Sequence, residues 1–519
     1  DGTQRPVGEP ELVAELERAG YDRDPDVLDT WFSSALWPIS TMGWPWPEDH
    51  PETIGLLDSF SPTSVLSTAR DIITLWVSRM VMFTRYFMDG QLPFDDVFIH
   101  SVIQDGHGQT MSKSLGNGLD PRDVIHSHGA DALRFALVQM TTDTQDVRMP
   151  VDLVDPYTGE TFEPEFVTTG AGKIVPAPVQ ASPSDPDRRM VTAYGVASGA
   201  AEPTDALPLA RNTSPKFDLG RNFANKLWNA TRFALRRIDP TVHVGAPVDI
   251  GGRPFPDRWI VARLDDTIHR IESALGTYQF NTVADALYDF VWRDVCDRYL
   301  EMVKPTVDDD HEQQVVLGAV LDAVLRLMHP VCPFVTEALW PAVSAARANG
   351  EVGAISLPPG ELLAGAPWPA TTAASAPDVV ALHDRGDALI AAIRAQRGAQ
   401  AVPPKRRIAL HAPRATLDLI AALDGAVETL AGLGEVADLA DGRPAIATPI
   451  TFEGHEVLLA GLMDAVDIDR ERERLTKLVE AKTKQIGGFR GRLANEGFLA
   501  NAKPEVVADT RRLLATAEA

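Results

Sequence analysis

Apolar residues recur along this chain with more than one period, and the changes of period divide it. In residues 62–88, Ile72, Ile73, Trp76, Met80, Phe83 and Phe87 return every three or four positions, which predicts a helix across the stretch. Leu92-Pro93 ends it, and the β-branched run 97–103 (VFIHSVI) predicts a strand. A polar, Gly-rich stretch occupies 106–121, GHGQTMSKSLGNGLDP. Residues 121–140 then read as one helix opened by Pro121. Helix, strand, loop, helix is the order of half a parallel α/β sheet, with the loop at a strand's carboxyl end. Ligands bind there in open α/β sheets.

The pattern changes at residue 150. Residues 150–215 are rich in Pro, Gly, Ser, Thr and Asp, with short strand-like runs at KIVPAPV and MVTAYGVA. They read as an insertion or linker with one hairpin. Beyond Asn222 the runs NFANKLWNATRFALRRI, RWIVARLDDTIHRIESAL, FNTVADALYDFVWRDVCDRYLEMV and QVVLGAVLDAVLRLM each carry an apolar stripe of helical period. Four such helices with short connections predict an antiparallel bundle. A mixed segment comes next, with strands at RRIAL and HEVLLAG. At the end, Leu475, Leu478, Gln485, Phe489 and Leu493 lie near heptad spacing, the mark of a helical hairpin or short coiled coil, although Gly487-Gly488 interrupts it. The expected organisation is multidomain and mainly α with α/β. It comprises an α/β segment at 1–149, an insertion at 150–215, a helical bundle at 216–376, a small mixed α/β domain at 377–465 and a helical arm at 466–519.

Length and composition agree with several domains: 519 residues allow roughly three or four at ~150 each. Two cysteines, Cys296 and Cys332, leave no room for a four-Cys zinc site or a disulfide framework. No apolar run reaches the length of a membrane span, since Arg79 and Arg85 interrupt the best candidate. A cytoplasmic protein without a membrane partner is therefore expected. The net charge of −25 weighs against a nucleic-acid partner, but it is unevenly spread. From Arg470 onward eleven Lys and Arg face seven Asp and Glu. A basic arm on an acidic body can meet a phosphate backbone locally, although a solvated helical surface has the same composition.

Chemistry concentrates in TMSKSLGN. A Lys between two hydroxyls on a Gly-flanked, flexible loop is a poor core element. It suits a cation closing over an anionic ligand, where an ammonium stabilises charge spreading over phosphate oxygens and nearby N–H groups assist. On these residues alone a solvated surface loop is the alternative. The G-x-x-x-x-G-K-[ST] pattern is absent, so P-loop chemistry is not indicated.

TMSKSLGN with DPRDVIHSHGADALRFAL resembles the second signature loop of class I aminoacyl-tRNA synthetases, usually K-M-S-K-S. DVLDTWFSSALWP, ARDIITLWVSRMVM, GRNFANKLWNATRF, LMHPVCPFVTEALW, IRAQRGAQAVPP and LANEGFLANAKPEVV are similar, in order, to segments of the valyl-tRNA synthetase family. The resemblance implies the second half of a Rossmann-like catalytic fold, an anticodon-binding bundle and a coiled-coil tRNA-binding arm. It implies ligation of valine to its tRNA through valyl-adenylate, with ATP as substrate, Mg2+ accompanying ATP and no zinc site in this chain. Lys113 takes the place of the motif's second Lys and is expected to stabilise the phosphates. Met111, Ser112 and Ser114 shape the loop, and His100 precedes it at a strand end. Asp71, Ile72 and Trp76 fall on the family's amino-acid-pocket helix. Thr110 stands where the motif's first Lys belongs, and Ala69 and Ser101 stand where Gly is common.

The same resemblance places Arg394, Arg397, Arg470, Arg474, Lys477 and Lys484 toward tRNA, as phosphate contacts that position without specifying sequence. Trp228, Trp259 and Trp292 sit in apolar stripes and read as packing residues. The H-I-G-H signature and an editing domain are not in this sequence. By resemblance the chain is the carboxyl-terminal part of a longer enzyme, expected to be a monomer and inactive by itself. Two rivals stand beside that reading: a non-catalytic tRNA-binding or scaffold protein derived from a synthetase, and an isoleucyl-type enzyme.

Overall fold

The computed structural model describes residues 10–462, apart from 23–24, 143–144, 242, 348–349 and 372–375, together with scattered positions between 476 and 512. It divides into two compact units, Asp1–Asn222 with Ile271–Asp285, and Phe223–Arg270 with Ala286–Ala519.

In the first unit, strand β1 (Thr63–Ala69) runs parallel to β2 (Phe94–His100), with Ala69 beside His100. The crossover between them winds as a 3₁₀ turn at Arg70–Ile72, a π-helical turn at Ile73–Val77 and an α-helix at Ser78–Phe87. The helix expected over 62–88 therefore begins only at Arg70. Residues 63–69 are a strand because the run holds β-branched Thr63, Val65 and Thr68 and pairs along its length with β2. Leu66 is drawn into a core with Val77, Met80 and Phe94. The strand expected over 97–103 is likewise two. β2 stops at His100, and β3 (Ile103–Asp105) pairs in parallel with β4 (Val147–Met149).

The connection from β3 to β4 carries two helices, Pro121–His128 and Ala130–Met140, where one was expected. Gly129, at φ +92°, separates them in a conformation that a side chain disfavours. Asp120 caps the first helix by accepting from the Arg122 amide. Val124, Ala136, Met149 and Phe217 form the core beneath. Two parallel β-crossover-β pairs are thus present, as the α/β reading requires.

Residues 150–215 are more than a linker. They fold into β5 (Asp152–Val154), β6 (Thr161–Phe162), β7 (Phe166–Thr168), β8 (Ile174–Pro176), β9 (Val179–Ala181), β10 (Arg189–Val191) and β11 (Arg211–Thr213). The order β11-β5-β6 makes one sheet, and β7–β8 and β9–β10 are hairpins. Leu153, Met190 and Ala210 supply a small core. The run expected as a strand at MVTAYGVA stops at Val191. There the Thr192 hydroxyl accepts from the Gly195 amide and opens a short helix, Ala193–Ala197.

The four helical runs appear where they were expected, as Lys216–Leu235, Phe255–Gly276, a third that is α-helical at Phe280–Tyr288 and Leu300–Val303 with a π-helical stretch at Asp289–Tyr299 between, and His311–Met328; Pro333–Arg347 follows as a further helix. Every residue from Gln313 to Met328 is buried, so the central helix is covered on all sides. It carries Arg326, which donates to Asp322 at 2.5 Å and to the carbonyls of Pro358 and Pro367, so a buried charge is fully partnered. Burial pushes the Asp322 carboxyl up, against the pull of Arg326. Both cysteines are buried and form no disulfide, and burial pushes the Cys296 thiol up to about 12. The long helix Pro377–Ala399 precedes a four-stranded sheet of Ile408–Ala412, Leu433–Asp438, Ala447–Phe452 and His455–Ala460. Two of those strands are RRIAL and HEVLLAG. The helical arm at 466–519 falls mostly outside the described residues, which include neither Leu475, Leu478 nor Gln485. The described positions between 476 and 512 are all helical.

Candidate active site

β3 delivers Asp105 into the interior at the start of the signature loop, and this carboxylate organises the loop around itself. It accepts from the backbone amides of His107 and Gln109 at 3.0 and 2.9 Å, and from the side-chain amides of Gln109 and Asn117 at 2.9 and 2.8 Å. Burial raises this carboxyl, but the hydrogen bonds from Asn117, Gln109 and His107 outweigh it and hold the group below the ordinary range. Asn117 is itself buried, and its carbonyl oxygen accepts from the Ser112 amide at 2.9 Å. The two ends of the loop are thereby fastened to one carboxylate. Thr110 bridges back to Gln104 on β3, at the position where the motif has its first Lys.

Between these anchors the tip is a hydrogen-bonded turn. The Ser112 hydroxyl accepts from the Leu115 amide and lies 3.1 Å from the Ser114 hydroxyl, and the Gly116 amide donates to the Lys113 carbonyl. Met111 is half-buried against the core of Val124, Ala136, Met149 and Phe217. Lys113 and Ser114 are exposed. The composition of the loop predicts flexibility; the structure gives it a fixed internal framework, because Asp105 and Asn117 place polar partners where a bare Gly-Ser loop has none.

A second carboxylate joins the strand ends. Asp146 accepts from the Arg70 guanidinium at 2.5 Å, from Gln104 at 2.9 Å and from the Val102 amide at 3.3 Å. Its hydrogen bond from Arg70 holds it below the usual carboxylate range. Arg70 comes directly after β1, Val102 lies just beyond β2 and Gln104 is on β3, so one side chain ties together the carboxyl ends of two strands and the body of a third. His100 is half-buried, its Nδ1 3.0 Å from the Ser101 carbonyl oxygen, and the Ser101 hydroxyl donates to the Thr142 carbonyl.

Asp71 is exposed beside Arg70, and Ile72 is half-buried. Both precede the π-helical turn, a winding often found at functional sites. Trp76 is half-buried: its indole N–H donates to the Ser34 carbonyl at 3.1 Å, and its ring lies 6.1 Å from that of Trp37. Ala69, His100, Asp71 and the Asp105 loop thus sit at the carboxyl ends of parallel strands, and Asp146 ties together their neighbours Arg70, Val102 and Gln104. Asp105, Gln109 and Asp146 carry no motif by which sequence reasoning singles them out, and Asn117 closes the TMSKSLGN run with nothing there to show its pairing with Asp105. The only local hint is the Asp-Gly and Asn-Gly pairs at 105–106 and 117–118, which read as turns.

In the second unit, Arg394 and Arg397 lie on one helix but differ. Arg394 is exposed, with its Nε donating to the Leu430 carbonyl. Arg397 is buried, and its guanidinium donates to the carbonyls of Gly432, Pro403, Pro404 and Arg406. This corrects the expectation that Arg397 faces phosphate: the residue closes a loop, because unpaired carbonyls there need a donor. Arg470, Arg474 and Lys477 lie outside the described residues, and Lys484 is helical and exposed. Trp259 is fully buried and stacks on His383 at 4.1 Å, and Trp292 stacks on Tyr288 at 5.3 Å. Trp228 is 39% exposed.

Three family models match the chain. They are tRNA synthetases class I (I, L, M and V) over residues 7–150, the anticodon-binding domain of tRNA ligase over 257–412, and the valyl tRNA synthetase tRNA binding arm over 467–519. With the parallel-strand site and its Lys113 loop in the first of these stretches, the chain belongs to the class I tRNA synthetases. Among curated proteins it is 37% identical over 524 residues to the valine–tRNA ligase of Rhodopirellula baltica, covering 97% of this chain and 47% of that protein. It is 36% identical to the valine–tRNA ligase of Nocardia farcinica, covering 96% and 48%. Within the class the chain is therefore of the valyl-tRNA synthetase family, and it spans about half the length of the curated relatives it matches. A solved structure, the Agrobacterium radiobacter K84 agnB2 LeuRS–tRNA–LeuAMS ternary complex, aligns with a TM-score of 0.42 at 19% identity, covering 69% of this chain and 38% of that one.

Proposed function

We propose that this chain is part of an enzyme that ligates valine to its tRNA at the expense of ATP. In the first step the valine carboxylate attacks the α-phosphorus of ATP, the bond to the β-phosphate oxygen breaks, and pyrophosphate leaves. In the second, the acyl group passes from the adenylate to a hydroxyl of the tRNA's terminal adenosine, and AMP leaves. The observation that carries this reading is the exposed Lys113 on a turn whose two ends converge on buried Asp105 at the carboxyl end of β3. A cation held there stabilises the charge that develops on phosphate oxygens as pyrophosphate departs. Ser112 and Ser114 flank it as hydroxyl donors, and Mg2+ arrives with the ATP phosphates.

Asp71, Ile72 and His100 stand at the neighbouring strand ends and are the candidates for valine and nucleotide contacts. The tRNA partner is supported by the anticodon-binding and arm models over 257–412 and 467–519. Arg394 and Lys484, both exposed, remain candidates for its phosphates, as do Arg470, Arg474 and Lys477 on the sequence alone. Valine is favoured over isoleucine by the names of the relatives. The test is amino-acid-dependent exchange of labelled pyrophosphate into ATP by the intact protein. Valine should drive exchange and isoleucine should not; no exchange with valine overturns the reading.

A further inference from the structure

The 150–215 module touches the signature loop on both sides of Lys113 and not at its tip. On the near side, Gln109 pairs with the backbone of Ile174 in β8. Its amide nitrogen donates to the Ile174 carbonyl at 2.6 Å, and its oxygen accepts from the Ile174 amide at 3.0 Å. The same Gln109 nitrogen reaches Asp105, so β8 and the loop's central carboxylate share one side chain. Beside it the His107 ring meets the Phe166 ring of β7 edge to face, with centroids 4.6 Å apart.

On the far side, buried Asn212 of β11 donates through one nitrogen to two loop carbonyls, Gly116 and Gly118, each at 2.8 Å. Gly116 also presses on the start of the Ala193–Ala197 helix. A Cβ at Gly116 would lie 2.2 Å from the Tyr194 backbone nitrogen, so no side chain fits. Four separate elements of the module thus hold the residues before and after the turn, while Lys113 and Ser114 stay exposed.

We propose that the 150–215 module is a clamp that positions the Lys113 loop, with Gln109 and Asn212 as its positioning residues. The claim rests on the reading of Lys113 as a phosphate-facing group and adds what sets its place. The module is not a spacer between domains. A loop that must present one ammonium to phosphate within a fraction of an ångström gains from being held at both stems, since misplacement weakens catalysis steeply.

Lys113 is an exposed trypsin site, and that gives a test on this chain that needs no turnover. Asn212→Ala and Gln109→Leu are compared with the unaltered chain for the rate of cleavage after Lys113, with cleavage after exposed Arg122 as internal reference. Titration of the intact protein, with and without the same substitutions, with MgATP then gives the concentration that halves cleavage. The isosteric Asn212→Asp, which keeps the shape but loses the donor, guards against a packing artefact, and melting temperature guards against loss of fold. The proposal expects cleavage after Lys113 to accelerate at least fivefold relative to Arg122 in all three variants. It also expects the half-protecting MgATP concentration to rise severalfold in the variants without a matching fall in melting temperature. Unchanged relative cleavage after Lys113 overturns the clamp. Accelerated cleavage with an unchanged half-protecting concentration overturns its positioning role for the ligand. If MgATP protects Lys113 not even in the unaltered intact protein, the phosphate reading of Lys113 fails, and the cleavage rates alone still decide the clamp.

Discussion

Asp105 shows how a single buried carboxylate turns a flexible composition into a defined site. Four donors converge on it, two from the backbone and two from amide side chains on opposite ends of the loop. Asp105→Asn removes the charge and presents an N–H where those donors point. It should destabilise the first unit by about 1–3 kcal/mol, the usual cost of leaving buried polar groups unmatched. Chemical denaturation with a probe in the first unit measures it. The depressed pKa fixes the sign of the pH effect. Asp105's contribution is fully present above the unfolded value near 3.8 and is lost as pH falls from there through the lower folded value. A carboxyl NMR titration should place its midpoint below 3.8. Lys113 is legible in the sequence because its neighbours form a motif. The joint roles of Asp105, Asn117 and Asp146 are not, since Asn117 lies 12 residues from Asp105, and Val102 and Arg70 lie 44 and 76 residues from Asp146, pairings that no local pattern shows. Arg397 misleads for a related reason: helical spacing puts it on a face with Arg394, but only the fold brings four carbonyls to it.

Elements are legible where periodicity is long and misplaced where it is short. The apolar stripes of the helical region give helices close to their observed spans, because burial of one face dominates their stability. β1 is hidden because its seven residues adjoin a longer helical pattern that absorbs them, and pairing with β2 decides the matter. The Pro121–Met140 stretch reads as one helix because its apolar spacing survives Gly129, whose positive φ turns the chain between two. The 150–215 module reads as a linker because three-residue strands leave almost no period to detect. The arm is the element whose role rests most on charge. Deleting residues 470–519 should weaken tRNA binding and reduce the steepness of its dependence on salt concentration, leaving adenylate formation intact. Filter binding of valine tRNA across a salt series checks this, and an unaltered dissociation constant removes the arm from the RNA interface.

At the scale of the whole molecule, composition and the matching family models point in different directions. A net charge of −25 argues against RNA, yet the models that match 257–412 and 467–519 are an anticodon-binding domain and a tRNA-binding arm. The contradiction resolves if phosphate contacts are concentrated locally while the rest of the surface stays acidic, which favours solubility. The chain spans about half the length of its curated relatives, and on the proposed reading its site residues, on β1 to β4 and the loop between, are part of an activation site. What unites them in the proposal is one ammonium presented from a clamped turn. The most direct measurement is the single-turnover rate of valyl-adenylate formation by the intact protein and by Lys113→Ala, at saturating valine and ATP. The rate should fall roughly 10²-fold, as when one preorganised stabilising group is removed, with tRNA affinity unchanged. Equal rates in the two proteins would refute the role given to Lys113.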